Sequence, residues 1–389
     1  ARDVKLFSTG HTIQAIAEIM KHANRPLGVA KNCFWRRNKV TWVLIAMQYS
    51  FYNDYSEGAH PKVLQALARS NEGHETGSGL DRFTTEAVEL IRAATKRPDA
   101  DVHFVPTGTQ ANLIVLSSVL RSYESVIAVH TSHINVHEAG ALEATGHKII
   151  TVPHINGKLT PEQVRETCAL HNDEHMVQPR VVYISQTTEL GTVYSKTELQ
   201  QLSQTCRELN LFFYIDGARL GSALTARGSD CTLDELAGMV DAFYIGGTKN
   251  GALLGEAVVI NHRELKKNFR HHLKQRGALL AKGYAISLQF HALFTDGLYE
   301  ELAKHANRMA HKIADTIESL GYRFLTPPIS NQLFPILPNT VIEALKPNYG
   351  FYIWSQGEQE SPIRLVTSWA TDEQAVDAFI ETIKNVSTG

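Results

Sequence analysis

From residue 102 to residue 251 short apolar runs alternate with longer segments of helical spacing, and this alternation leaves few folds open. The runs at 102–105, 125–130, 148–152, 180–185, 211–215 and 241–245 have the length and β-branched or aromatic content of buried strands. Between them the spacing predicts helices from the turn at 106–112 to about residue 121, at 161–170 behind Thr160, and at 196–209. Two helices precede them, 61–70 with a proline in its first turn and 84–94. Strands alternating with helices predict an α/β layer built on a mostly parallel central sheet flanked by helices. Beyond about residue 265 the pattern turns helical, through 282–294 and 300–320. It closes with a strand at 363–368 and a helix at 373–384, the pattern of a smaller α+β C-terminal domain. The expected organisation is an N-terminal extension at 1–50, a large domain at 51–265, and a helical connection with a smaller domain at 266–389.

Composition removes several classes of function. The 389 residues are 43% hydrophobic and 20% charged, with a net charge of −2. That is ordinary globular composition, with no basic excess to suggest nucleic acid. Four cysteines lie far apart with no CxxC, which argues against a zinc ribbon or a disulfide framework and fits a reducing, cytoplasmic compartment. No apolar run approaches the length of a transmembrane helix, so no membrane partner is expected. Residues 1–40 differ, carrying Arg2, Lys5, Lys21, Arg25, Lys31, Arg36, Arg37 and Lys39 against Asp3 and Glu18. An organelle-import segment has this bias, but the helical apolar spacing at 13–20 makes an added helical arm the simpler reading.

The chemistry-bearing residues fall at the ends of the predicted strands. The run at 241–245 is followed by Gly246, Gly247, Thr248 and Lys249. The glycines let the backbone turn tightly beside something bulky. A lysine there can lose its proton and act as an amine nucleophile, typically as a Schiff base with pyridoxal 5'-phosphate; the plain alternative is a surface lysine. Asp216 ends the strand at 211–215, where open α/β sheets bind ligands, and could keep a pyridinium nitrogen protonated or merely cap a turn. Arg219, three residues on, could meet a carboxylate with two parallel bonds or form a surface ion pair. Gly108 and Thr109 lie between a strand and a helix start, a setting for phosphate as well as for an ordinary N-cap by Thr107 or Thr109. His133 and His137 have helical i, i+4 spacing, but the stretch is not HExxH and no third ligand is evident, so no metal is assigned. His133 could instead lie flat on a cofactor ring. Arg364 sits inside an apolar strand and calls for an anion, either a substrate carboxylate or a structural Asp or Glu.

In order and in wording these stretches resemble a known family. Asn53-Asp-Tyr-Ser-Glu-Gly58, Pro106-Thr-Gly-Thr-Gln-Ala-Asn112, Ser132-His-Ile-Asn-Val-His-Glu-Ala-Gly140, Asp216-Gly-Ala-Arg-Leu220, Gly246-Gly-Thr-Lys-Asn-Gly251 and Arg364-Leu-Val-Thr-Ser-Trp369 are similar to motifs of the low-specificity L-threonine aldolases. These belong to the β-eliminating lyase group of pyridoxal phosphate enzymes with the aspartate aminotransferase fold. The resemblance runs from about residue 51 to residue 379. It implies an internal aldimine at Lys249, phosphate held by Gly108 and Thr109, and His133 stacked on the ring with Asp216 at its nitrogen. It also implies Arg219 and Arg364 on the amino-acid carboxylate with help near Asn53. The family works as homodimers or homotetramers with shared sites, and Arg270, Lys274, Gln275 and Arg276 resemble the basic stretch lent to a neighbour.

The chain departs from the family pattern at Asn53, where many members carry Ser, and at Ser78, where Tyr often appears. It departs also at Thr188, which stands where many members carry a second histidine near the substrate hydroxyl. Threonine is no base at neutral pH, so the hydroxyl proton must go to His133, to water or to another group. The implied reaction is aldol cleavage of L-threonine, L-allo-threonine and related β-hydroxy-α-amino acids to glycine and an aldehyde. The alternatives are β-elimination or transamination with the same cofactor, a cofactor-binding protein without turnover, and an α/β module that binds another ligand.

Overall fold

The computed structural model describes residues 33–38, 41–46 and 49–388, which fall into two compact units, Ala1–Gln48 and Tyr49–Gly389. Within the first, Cys33–Asn38 and Thr41–Ala46 pair as an antiparallel hairpin. The helical arm expected at 13–20 lies outside the described residues.

The second unit is organised by a seven-stranded sheet. Its strands are β1 (Asp101–Val105), β2 (Glu124–Val129), β3 (Lys148–Val152), β4 (Gln178–Ser185), β5 (Phe212–Asp216), β6 (Ala242–Gly246) and β7 (Glu256–Ile260). The spatial order is β1-β7-β6-β5-β4-β2-β3. Only β7 runs antiparallel to its neighbours, so the sheet is mostly parallel as expected. Strands β2, β5, β6 and β7 are buried at every position, because helices cover both faces. Alternate residues divide between two cores: Ile127, Val182, Phe213, Phe243 and Val259 on one face, Val126, Tyr183, Tyr214, Tyr244 and Val258 on the other. β7 is the strand that the sequence reading passed over; it follows a glycine-rich loop with almost no spacer.

The flanking helices begin where local chemistry starts them. Thr160 and Ser195 form capping boxes with Gln163 and Glu198, opening Pro161–Leu170 and Lys196–Glu208. Asp81 accepts from the Thr84 N–H at 2.8 Å and opens Arg82–Thr95. Toward the C-terminus a small antiparallel sheet contains Arg323–Phe324, Gln332–Leu333, Pro335–Pro338, Tyr352–Ile353 and Glu360–Val366. It packs with the helices Leu298–Ser319, Asn339–Leu345 and Glu373–Thr388 around a third core. Phe51 belongs to that core, and Tyr49–Ser50 pairs with Tyr349–Gly350, so the chain at 49–51 packs with the C-terminal part. Among the described residues no helix is long and apolar enough to cross a membrane.

Candidate active site

The site lies off the C-terminal ends of the parallel strands, where side chains from several β–α turns converge. β5 delivers Asp216 as its last residue and β6 delivers Lys249 three residues beyond its end. The turn after β2 enters the short helix His133–Val136, and the turn after β1 enters the helix Gly108–Val119. The glycines of the lysine loop are required by close approach. A Cβ on Gly246 would collide with the Ala218 carbonyl, and one on Gly247 would stand 2.7 Å from the Gly255 oxygen and 2.8 Å from the Phe290 ring.

Asp216 is buried and receives four hydrogen bonds. Tyr244 Oη donates to Oδ1 at 2.6 Å and the Ala218 N–H at 3.0 Å, while Tyr183 Oη donates to Oδ2 at 2.7 Å and Asn112 Nδ2 at 2.9 Å. Burial alone would push its carboxyl up, but the His133 charge and the donors Tyr244, Asn112 and Tyr183 outweigh it and hold the carboxyl below its ordinary range. Asn112 also donates to Glu138 Oε1 at 2.8 Å, and His133 Nδ1 meets the same oxygen at 2.8 Å. The His133 N–H donates to Glu189 Oε1 at 2.9 Å. Glu138 and these bonds fix the imidazole.

Lys249 is enclosed by charge of both signs. Burial first, then the Arg219 guanidinium, hold its amine below the usual lysine range, against Asp54, Asp216 and Glu256. A depressed amine is what nucleophilic attack needs. Glu256, at the start of β7, accepts from the Gly247 N–H at 2.9 Å and from Thr248 Oγ1 at 2.7 Å, and burial pushes its carboxyl up.

Three expected substrate residues are placed differently from one another. Arg219 does meet a carboxylate with two bonds, but that of Asp54, through Nε at 2.7 Å and Nη2 at 3.0 Å. Asn331 Nδ2 adds a third bond to Asp54 at 2.9 Å. Thr188 is buried, and its hydroxyl faces Thr192 Oγ1 at 2.7 Å while accepting from the Leu190 and Thr192 N–H groups. Its hydroxyl closes its own turn. Asn53 accepts from the Tyr55 N–H at 3.0 Å and from Ser56 Oγ at 2.8 Å, shaping the loop beside Asp54.

Arg364 is the exception. It lies in Glu360–Val366, donates from Nη2 to Gln332 Oε1 at 2.9 Å, and has a buried Nε with no partner. Among the described residues no carboxylate is within ion-pair distance of it. Burial, then the nearby Arg219 charge, draw its guanidinium down to about 10. Two guanidiniums with one carboxylate between them make a place for a further anion.

At the other end of the site, Thr107 caps the helix Gly108–Val119, accepting from the Gln110 N–H at 3.1 Å. The N–H groups of Gly108 and Thr109 lie in its first turn, where helix geometry leaves donors for an anion. A Cβ at residue 108 would stand 2.9 Å from Tyr244 Oη, so this turn and the Asp216 donor share their space. Gln110 Nε2 bonds the Arg276 carbonyl at 3.0 Å, which brings the basic stretch beside the same turn.

The residues present fit pyridoxal phosphate: an anion-ready helix terminus, a depressed lysine, and a low-range carboxylate backed by four donors. Fold and site together define a pyridoxal phosphate-dependent lyase of the aspartate aminotransferase architecture. The chain belongs to the β-eliminating lyase family, whose model matches residues 54–338. It is 36% identical to the low specificity L-threonine aldolase of a Pseudomonas species, over 86% of this chain and 97% of that protein. Its structure is similar to that of a Leishmania major threonine aldolase, with a TM-score of 0.86 and 46% identity, covering 87% of this chain and 99% of that one. The Thermus thermophilus aspartate aminotransferase shares the fold, with a TM-score of 0.64 and 15% identity, covering 87% of this chain and 91% of that one.

Sequence reasoning missed Asp54, Tyr183, Tyr244, Glu138, Gln332 and Glu256 as site residues. Asp54 and Glu138 lay inside stretches already singled out. The two tyrosines looked like ordinary strand aromatics, and only the fold turns their hydroxyls onto one carboxylate.

Proposed function

We propose that this chain cleaves L-threonine, L-allo-threonine and related β-hydroxy-α-amino acids between Cα and Cβ, giving glycine and an aldehyde. The observation that carries the reading is the Arg364 guanidinium, a partly buried cation with no ion-pair partner among the described residues, which acts on His137 together with the depressed Lys249 amine. It is where an amino-acid carboxylate would be held while the amino group reaches the lysine's position.

When bound, pyridoxal phosphate supplies an electron sink for the pair released as Cα–Cβ breaks. Lys249 is the residue that would hold it, through its depressed amine. The first turn of Gly108–Val119, with Gly108 and Thr109, binds the phosphate. Asp216 would meet the ring nitrogen and favour its protonated form, and His133, oriented by Glu138, would lie against the ring. Arg364 binds the substrate carboxylate. Arg219, locked by Asp54, lends positive charge on the same side, and the 53–55 loop frames it.

The working unit is a homodimer or homotetramer, a reading supported by the likeness of Arg270, Lys274, Gln275 and Arg276 to the basic stretch that family members lend to a neighbouring subunit. A cytoplasmic location accords with Cys168, Cys206 and Cys231 as free thiols. The test is a product assay. Threonine is expected to yield glycine and acetaldehyde in equal amounts. A 2-oxo acid with ammonia, or amino transfer to an added oxo acid, would overturn the reading in favour of elimination or transamination.

A further inference from the structure

Aldol cleavage needs a base for the β-hydroxyl proton, and the Thr188 and Glu189 side chains are engaged within the chain. The Thr188 hydroxyl is consumed by its own turn. Glu189 is turned inward, its Oε1 accepting from the His133 N–H and from Ser185 Oγ at 2.6 Å. His133 has Nδ1 committed to Glu138, which fixes the ring for a role against the cofactor.

His137 is different. It ends the helix His133–Val136, its N–H bonded to the His133 carbonyl at 2.8 Å, so its ring stands one helical turn from the His133 ring on the same face. The ring centroids are 5.6 Å apart and tilted by 52°. Among the described residues neither ring nitrogen of His137 has a hydrogen-bond partner. The charged groups that face it come from three elements: His133 on its own helix, Arg364 on Glu360–Val366, and Lys249 in the loop after β6. Partial burial, then His133, Arg364 and Lys249, hold the imidazole below its ordinary range, which favours the neutral ring that a base needs. The ring therefore stands beside His133, within electrostatic reach of the two residues proposed to meet the substrate's carboxylate and amino group, with its nitrogens free of hydrogen bonds to the described residues.

We infer that His137 is the catalytic base that takes the proton from the substrate's β-hydroxyl, the task that Thr188 cannot perform. This rests on the reaction proposed above. The β-oxygen gives its proton to a His137 ring nitrogen, and the freed O–H pair becomes the second C–O bond of the aldehyde. The Cα–Cβ pair stays on the Cα side and is closed by a proton there, giving glycine; His137 then returns its proton to solvent. No oxidant or reductant is needed.

The experiment separates the base from the rest of the site. Wild type and His137→Asn are compared in threonine cleavage and in exchange of the glycine α-proton with deuterium, a partial reaction that needs Lys249, Asp216 and Arg364 but no β-hydroxyl base. The expected result is a loss of about 10²-fold or more in kcat for threonine. Glycine exchange is expected to remain within a few-fold, and added imidazole to restore part of the cleavage in His137→Ala. Independently, NMR titration of the cofactor-free protein is expected to give a His137 midpoint below the ordinary 6.5 that rises in Arg364→Met. Cleavage by His137→Asn at near wild-type rate, or equal losses in cleavage and exchange, would overturn the assignment. So would a His137 midpoint indifferent to Arg364. A wild type that exchanges glycine's proton yet leaves threonine intact would sink the proposed reaction itself, and this assignment with it.

Discussion

Asp216 and Arg364 are both ionised, both shielded from water and both placed by strands, yet their surroundings are opposite. Asp216 has four donors from β4, β6, the turn after β5 and the helix Gly108–Val119, all within 2.6–3.0 Å. Arg364 has one neutral acceptor, Gln332, and a buried Nε without a partner. Burying an unpaired ion is costly, so a protein keeps one only where something else completes it. The carboxylate is braced within the chain; the guanidinium is not, which is what its proposed role toward a substrate carboxylate requires. Asp54 and Arg219 sit between the two cases, a bidentate pair closed within the chain.

That contrast can be broken by substitution. The largest effect on stability is expected at Asp54→Ala, which leaves Arg219 buried without its anion and should cost about 3–5 kcal/mol in denaturant unfolding. A loss below ~1 kcal/mol would mean that Arg219 is hydrated and the pair is only a surface contact. Next comes Arg364→Met. It should leave folding stability unchanged or improved and raise the threonine KM by on the order of 10²-fold, because it removes an ion pair made only with substrate. A fall in stability with an unchanged KM would mean that Arg364 is braced within the chain as Asp216 is. Tyr244→Phe removes one of four donors to Asp216. The three that remain should limit the stability loss to about 1–1.5 kcal/mol.

The smallest effect is a pH dependence at Glu256. Its carboxyl is pushed up to about 7, chiefly by burial. A raised carboxyl in the folded state favours folding fully below its unfolded value near 4.5, and the benefit is lost as pH rises through about 7. Cofactor-free wild type should therefore lose stability relative to Glu256→Gln between those two values. A constant difference across that window would show that Glu256 titrates normally.

How much of this was legible depended on whether a signal was local. Lys249 and Asp216 each end a continuous apolar run, so one strand's sequence exposes them. The helices 61–69 and 161–170 announce themselves by Pro61 and Pro161, and the sheet by its repeated runs. The partners were hidden because they are tertiary. Asp54 lies 165 residues before Arg219. Asn112, Tyr183 and Tyr244 reach Asp216 from three separate elements. The Arg219 motif shows the guanidinium and not the Asp54 carboxylate it pairs with. The hydrogen bonds of the Thr188 hydroxyl within its own turn were hidden because motif position says nothing of which way a turn closes. Strands of two residues, such as Arg323–Phe324 and Gln332–Leu333, are too short to leave a periodicity.

The most direct test of the central claim is borohydride reduction of the purified protein with pyridoxal phosphate, followed by peptide mapping beside Lys249→Ala. The account predicts a reduced cofactor adduct on Lys249 in the wild type and none in the variant. An adduct on another lysine, or equal labelling of both proteins, would contradict it, and the roles given to Asp216, His133 and Arg364 would fall with Lys249.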